Sequence, residues 1–304
     1  MYIVSFFQYL FRKSNFPLIL YLVLNTLIVS ALLGGSIAPG KPVVALAVGL
    51  IAYVISLAAA LSPLGEFILR KQTKCHEITD DGVRNFIEPI FREVLTKARQ
   101  VNPEIPDDVE LYMNESQDIN AFATGRKTVC VTEGMLQQDP EMIRATLGHE
   151  MGHLAHHDTD LILVVTVGNM IVNAFFVMVR IGGKIFKTIS LLVALFSRDE
   201  DNIATALMMH ISAIITDFIL VKMMSLWTKL GTLLVMKSSR GQEYEADEFS
   251  FNLGYGEALC RLLDSFPAAR DKGLFANLMS SHPDKNERIK RLVALGAPYG
   301  ITGE

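Results

Sequence analysis

Gly148-His149-Glu150-Met151-Gly152-His153 holds two histidines four residues apart, with a glutamate directly after the first. On a helix that spacing puts both imidazoles on one face, where they can grip one Zn²⁺ per chain. Glu150 then lies beside the metal, positioned to take a proton from water instead of binding the ion. The chain contains seven histidines, so these three positions match by accident in about one such composition in a hundred. The weight therefore falls on the setting. Asp139 is a suitable N-cap, Pro140 suits the first helical position, and Ile143, Leu147 and Leu154 recur at helical spacing. His156 and His157 follow at once, but a three-histidine site of the metzincin kind needs its last histidine where Thr159 stands. They read as solvated or supporting residues, not ligands.

The elements that must position this motif lie in two polar pieces, Lys71 to Asp160 and about Leu226 to Glu304. The first predicts a helix over Ile87 to Ala98, apolar at Ile90, Val94 and Ala98, and strands at Val109 to Met113 and Thr128 to Thr132. The second predicts helices over Gln242 to Leu253, Gly256 to Phe266 and Pro283 to Leu295. Everything else is apolar. Half of the 304 residues are hydrophobic, 20% are charged, and the mean hydropathy is +0.32, against about a quarter charged in ordinary soluble domains. A net charge of −4 with a pI near 6.0 excludes the basic face of a nucleic-acid binder. Cys75, Cys130 and Cys260 are odd in number and form no CxxC pair, so neither a disulfide framework nor a cysteine metal site is expected, and reduced thiols facing the cytosol fit better.

The apolar excess sits in four runs. Phe16 to Gly35 has no charge and is long enough to span a bilayer, and Val43 to Pro63 repeats the pattern after Pro39, Gly40 and Pro42. A signal peptide would have a shorter apolar stretch and no second span behind it, so an uncleaved hairpin is expected. Arg12 and Lys13 precede the first run, Arg70, Lys71 and Lys74 follow the second, and only Lys41 lies between. The positive-inside rule therefore puts both ends in the cytoplasm. Runs over Leu161 to Val179 and Ile203 to Val221 form a second pair, which either spans the membrane or lies at its surface. Arg180, Lys184, Lys187 and Arg198 between them oppose spanning. His210 and Asp217 interrupt the fourth run on one helical face, and read as directed into protein. The expected organisation is a transmembrane hairpin over 1–70, a first protease piece over 71–160, an inserted apolar pair over 161–225, and a second protease piece over 226–304.

Several segments together resemble the HtpX-type membrane zinc metalloproteases, relatives of the CAAX prenyl proteases. They are Asp118-Ile119-Asn120-Ala121-Phe122-Ala123-Thr124-Gly125, the HEMGH helix with Asp158 behind it, Glu243 with Ala246-Asp247, and Ser281-His282-Pro283 with Arg288. The apolar pairs match in position too, so the resemblance covers nearly the whole chain. It implies an α+β, mostly helical integral membrane protease of the gluzincin type, with a small edge-exposed sheet and an HExxH helix. Glu243 would complete the zinc set with His149 and His153, and Asp247 would steady a ligand histidine. Asn120, Ala121, Phe122 and Ala123 would form the edge strand on which an extended substrate pairs. His282 would face the developing oxyanion as a second donor or serve only as the helix-start residue before Pro283, and Arg288 would face that same anion or form an ion pair. Glu243 and Asp247 share a helical face, whereas Glu245 lies about 200° and Glu248 about 140° from it.

The resulting expectation is a multi-pass protein of the cell inner membrane whose protease domain faces the cytoplasm. It would hydrolyse polypeptides, chiefly misfolded or damaged membrane proteins, with Glu150 as general base. The competing readings are an inactive membrane-anchored binding protein, against which the intact Glu150 speaks, and a CAAX-type processing protease, which should have more spans. A transporter using His210 and Asp217 lacks paired broken-helix repeats.

Overall fold

Uninterrupted apolar sequence builds the first helices, α1 (Phe16–Val29), closed by a π-helical turn over Ser30–Gly34, and α2 (Pro42–Ala60). The computed structural model describes residues 10–11, 16–34, 37–197, 200–266 and 284–300. Among these, α2 is the one helix long and apolar enough to cross a membrane, and Ile19–Val29 is a shorter apolar stretch. Next come α3 (Pro63–Gln72), β1 (His76–Glu77) and α4 (Asp81–Val101). The strands β2 (Glu110–Asn114), β3 (Ala121–Thr124) and β4 (Thr128–Thr132) precede the short α5 (Glu133–Leu136) and the motif helix α6 (Pro140–Ala155). After α7 (Thr159–Ile162) and a π-helical turn over Leu163–Gly168 run α8 (Asn169–Ser197), α9 (Glu200–Ser250), α10 (Gly256–Ser265) and α11 (Lys285–Leu295). The fold is mostly helical with one small mixed sheet.

The chain divides into two compact units. One comprises Tyr21–Leu57 and Gly168–Thr232; the other comprises Met1–Leu20, Ala58–Val167 and Leu233–Glu304. In the second, the sheet order is β1-β2-β4-β3, with β2 and β4 parallel and the outer pairings antiparallel. Helices α4, α6 and α10 share one core with the sheet. Asp80 caps α4 by accepting from the Val83 amide at 2.8 Å, and the helix buries Ile87, Ile90, Phe91, Val94, Leu95 and Ala98 as one stripe. Helix α6 begins with the Asp139 cap and Pro140, and nearly every residue from Ile143 to Ala155 is buried. At Gly125, in the β3–β4 turn, φ is +69° and the Glu66 side chain occupies the place of a Cβ; Glu66 also accepts from the Arg126 amide at 3.0 Å.

The first unit keeps its polar groups inside. Asn25 donates to Asn169 at 2.8 Å, Asn169 to the Tyr21 hydroxyl at 2.6 Å, and the Trp227 indole to Asn25 at 2.9 Å. The Ser56 hydroxyl donates to the Gly168 carbonyl at 2.6 Å, and Tyr21 stacks on Trp227. Many of its exposed side chains are apolar, among them Leu27, Val43, Ile51, Ile55, Ile185 and Phe218, and Lys41, Lys184, Lys222 and Lys229 are exposed with them.

Two sequence expectations change. The cations Arg180, Lys184 and Lys187 lie on α8, which continues 29 residues to Ser197, and not on a loop. The segment carrying Glu243 does not start a helix at Gln242 but ends α9, which begins at Glu200 and includes the fourth run. Neither region contains a proline, and apolar residues recur through Ile181, Ile185, Ile189 and Leu192, so nothing stops either helix.

Candidate metal centre

Two consecutive turns of α6 present His149 and His153 on one side, and the end of α9 brings Glu243 to them. The helices can approach because Gly152 faces Ala246: a methyl placed on Gly152 would lie 2.8 Å from the Ala246 Cα. The Ser250 hydroxyl ties the same contact by donating to the Ala145 carbonyl at 2.8 Å. His149 Nε2 lies 3.5 Å from Glu243 Oε2, and His153 Nε2 lies 3.4 Å from Glu243 Oε1. All three donor atoms fall within 4.8 Å of one another. Four donors at about 2.1 Å around a tetrahedral Zn²⁺ stand about 3.4 Å apart, so this triangle fits a metal with one position left for solvent. Neither His156 nor His157 joins the donor set.

The other nitrogen of each imidazole is already held. His149 Nδ1 donates to Asp247 Oδ1 at 2.9 Å, and His153 Nδ1 to Asp158 Oδ2 at 3.1 Å. Each bond fixes the ring and its tautomer, turning Nε2 toward Glu243. Arg288 binds Asp247 through two bonds, Nε to Oδ2 at 2.8 Å and Nη2 to Oδ1 at 2.6 Å, and its Nη1 stands 3.4 Å from Glu243 Oε2. Burial alone would depress the His149 and His153 pKa values, but the bonds to Asp247, Asp158 and Glu243 outweigh it and raise both. For Asp247, burial works upward, while the His149 and Arg288 bonds pull its carboxyl below the usual range.

Glu150 is buried beside this triangle, and its Oε2 accepts from the Ala123 amide at 2.7 Å. That contact reveals the register of β3. Thr132 donates to the Asn120 carbonyl, which makes Asn120–Thr132 a bonded pair, and Phe122–Cys130 and Thr124–Thr128 follow by alternation. Ala121 and Ala123 therefore turn their amides and carbonyls to the open edge of the sheet. Asn120 precedes the strand, and the Phe122 side chain packs on the far face with Cys75, Tyr112 and Cys130. The three cysteines are buried and unpaired. His282 lies outside the described residues, as does the Asp217 side chain.

The structure thus gathers His149, Glu150, His153, Glu243, Asp247, Arg288 and the Ala123 backbone into one site. Sequence reasoning left three members of it unassigned: Asp158 as the partner of His153, Gly152 as the contact point of the helices, and the α10 side chains beside Glu150. Asp158 was discoverable from its place five residues after His153, just beyond the helix.

A model of the family described as Peptidase family M48 matches residues 87–295. Protease HtpX of Shewanella pealeana is 28% identical, over 76% of this chain and 82% of its own length. A protease HtpX homolog of Lactobacillus helveticus is 26% identical over 92% of this chain and 96% of its own. A protease HtpX homolog of Bacillus licheniformis is 30% identical over 61% and 63%.

Proposed function

The chain belongs to peptidase family M48 as an HtpX-type metallopeptidase, and from that premise we propose that it is a membrane-embedded zinc endopeptidase. Its substrates are misfolded or damaged membrane proteins, cleaved at the cytoplasmic face of a bacterial inner membrane. The observation that carries the zinc reading is the donor triangle, with both Nε2 atoms turned to Glu243 and both Nδ1 atoms held by aspartates. Two imidazoles and one carboxylate with an open position form a hydrolytic zinc set.

His149, His153 and Glu243 would hold the ion, and Asp247 and Asp158 would keep the imidazoles oriented. When bound, zinc supplies Lewis-acid polarisation of the scissile carbonyl and acidifies water at the site. Glu150 takes a proton from the attacking water as its oxygen bonds to the carbonyl carbon. As the C–N bond breaks, Glu150 returns that proton to the leaving amine. The Ala123 bond to Oε2 holds the carboxylate still for both transfers. The outward amide and carbonyl of Ala121 and the outward carbonyl of Ala123, whose amide is held by Glu150, pair with the substrate backbone as an added strand. His282 is a further donor to the oxyanion.

Membrane placement is supported by the unit that buries a hydrogen-bonded amide cluster and exposes many large aliphatic side chains. The cations flanking the first two runs support a cytoplasmic protease domain. Metal analysis of the purified full-length protein, with casein hydrolysis in detergent before and after chelation, tests the function. Stoichiometric zinc and chelator-sensitive cleavage are expected; cleavage that survives complete metal removal would sink the reading.

A further inference from the structure

Leu61 and Ser62 alone separate the end of α2 at Ala60 from the start of α3 at Pro63. The Ser62 backbone is extended (φ −115°, ψ 170°), which breaks the axis of α2. Its hydroxyl caps α3 by accepting from the Leu64 amide at 3.2 Å, and Pro63 takes the first helical position. The corner is tight: a methyl placed on Gly65 would overlap the Ala60 carbonyl. The first turn of α3 therefore stays at the level where α2 ends.

The two faces of α3 differ in use. Gly65, Glu66 and Leu69 are buried. From that side Glu66 fills the place of a Cβ at Gly125 and accepts from the Arg126 amide at 3.0 Å, and Arg70 donates to the Thr128 hydroxyl at 3.0 Å. This face grips the β3–β4 turn. The opposite face carries Leu64, Phe67, Ile68 and Lys71, the spacing of one helical stripe. Leu64 is 54% and Phe67 50% exposed, and the Lys71 ammonium stands 5.8 Å from the Phe67 ring centroid.

Continuity with α2 identifies what covers that stripe. The 19 residues of α2 are apolar enough to cross a membrane, and at 1.5 Å per residue they measure about 28 Å, close to the roughly 30 Å of bilayer hydrocarbon. Its last residue then lies at a membrane surface, and the corner at Ser62 keeps α3 there. An apolar stripe carrying an aromatic ring, with exposed Lys71 and Lys74 at its end, suits the acyl–headgroup boundary. The rings and aliphatics enter the chains, while lysine stems lie along them and place ammonium groups at lipid phosphates. We propose that α3 lies in the bilayer surface, with Leu64, Phe67 and Ile68 among the acyl chains and Lys71 and Lys74 at the phosphates. The β3–β4 turn is then fixed about one helix thickness, about 10 Å, from the membrane, and carries the substrate edge with it. The proposal rests on the membrane reading above and gives the protease domain its own contact with lipid.

The test places one nitroxide at a time, through Ile51→Cys, Leu64→Cys, Phe67→Cys or Asp107→Cys, in the full-length protein lacking Cys75, Cys130 and Cys260. Each protein is read in nanodiscs of phosphatidylethanolamine and phosphatidylglycerol. Collisions with oxygen, which concentrates among acyl chains, are compared with collisions with an aqueous nickel chelate. Ile51 is exposed on α2 and Asp107 is exposed before β2, so they calibrate lipid and water. Labels at 64 and 67 should favour oxygen, as at 51, and not nickel, as at 107. Nickel access at 64 and 67 with residue 51 in lipid puts α3 in water and overturns the proposal, leaving the membrane reading intact. Shielding from both reagents means a protein covers the stripe, and overturns it equally. Nickel access at 51 defeats the membrane reading and the proposal together. Should labelling cost zinc through misfolding, the unsubstituted protein decides: lipids with a diazirine in the acyl chain should mark residues 64–68 on photolysis, and marks on α2 with none on α3 overturn the proposal.

Discussion

Asp247 and Asp158 decide how the two imidazoles meet a metal, because each takes the Nδ1 proton and leaves Nε2 as the donor. Asp158→Ala and Asp247→Ala should each weaken zinc by about ten- to a hundredfold, measured by competition with a chromogenic chelator. Equal affinity in both variants would reduce these carboxylates to packing. Glu150→Gln should keep full zinc and lose at least about a hundredfold in kcat, and normal turnover at normal metal content would remove Glu150 from the chemistry. The raised histidine pKa values give a sign for pH. In the metal-free protein the charged rings stabilise the fold fully below 6.5, their ordinary value, and that contribution is lost as pH rises through the raised values. Zinc needs the neutral rings, so its affinity climbs over the same interval. Zinc affinity, measured by chelator competition at several pH values, should fall as pH drops through the raised values; affinity independent of pH across that interval would contradict the assignment.

Glu243 reaches the site only because α9 docks closely on α6 at Gly152. A valine at Gly152 forces the helices apart at the Ala246 backbone, an overpacking that costs about 1–3 kcal/mol. Gly152→Val should therefore lower the melting temperature and zinc occupancy together, while both histidines remain. Unchanged zinc occupancy in a folded Gly152→Val protein would show that this contact does not set the ligand position. Strand β3 allows a separate test. Ala121 turns its amide outward and gives nothing to β4, so Ala121→Pro removes a donor to substrate without removing a ladder bond. Zinc should be retained and peptide cleavage should fall; intact cleavage would make this edge an ordinary surface. The caps at Asp80 and Asp139 and the apolar stripe of α4 were legible, since they depend on neighbours within one turn. The continuity of α9 was not, because a polar stretch after an apolar run reads locally like a boundary even where the backbone continues.

Taken whole, the molecule pairs a unit of buried amides and exposed aliphatics with one of ordinary enzyme construction. With Asn169 bonded to Asn25 and Trp227 to the same residue, the second apolar pair is expected to span alongside the first. Single cysteines at residues 41 and 187 in a protein lacking Cys75, Cys130 and Cys260 should react with an impermeant reagent applied outside intact cells, and a cysteine at 74 should not. Protection at 187 with labelling at 41 would leave the second pair at the cytoplasmic surface. Labelling at 74 would invert the whole arrangement.

The chemistry was readable from the chain itself because a helix turns 100° per residue: His149, Glu150 and His153 needed only that rule, a cap at Asp139 and an apolar side. The apolar runs were equally plain, since length without charge is the whole signal. The choice of Glu243 over its neighbouring acids was legible only as a shared face with Asp247, and became a distance once Gly152 and Ala246 met. Asp158, the outward peptides of Ala121 and Ala123, and the contact of Glu66 with Gly125 belong to tertiary structure alone. Each depends on residues far apart in the chain, or on hydrogen-bond register, and no local pattern encodes which partner a carboxylate or an amide will find.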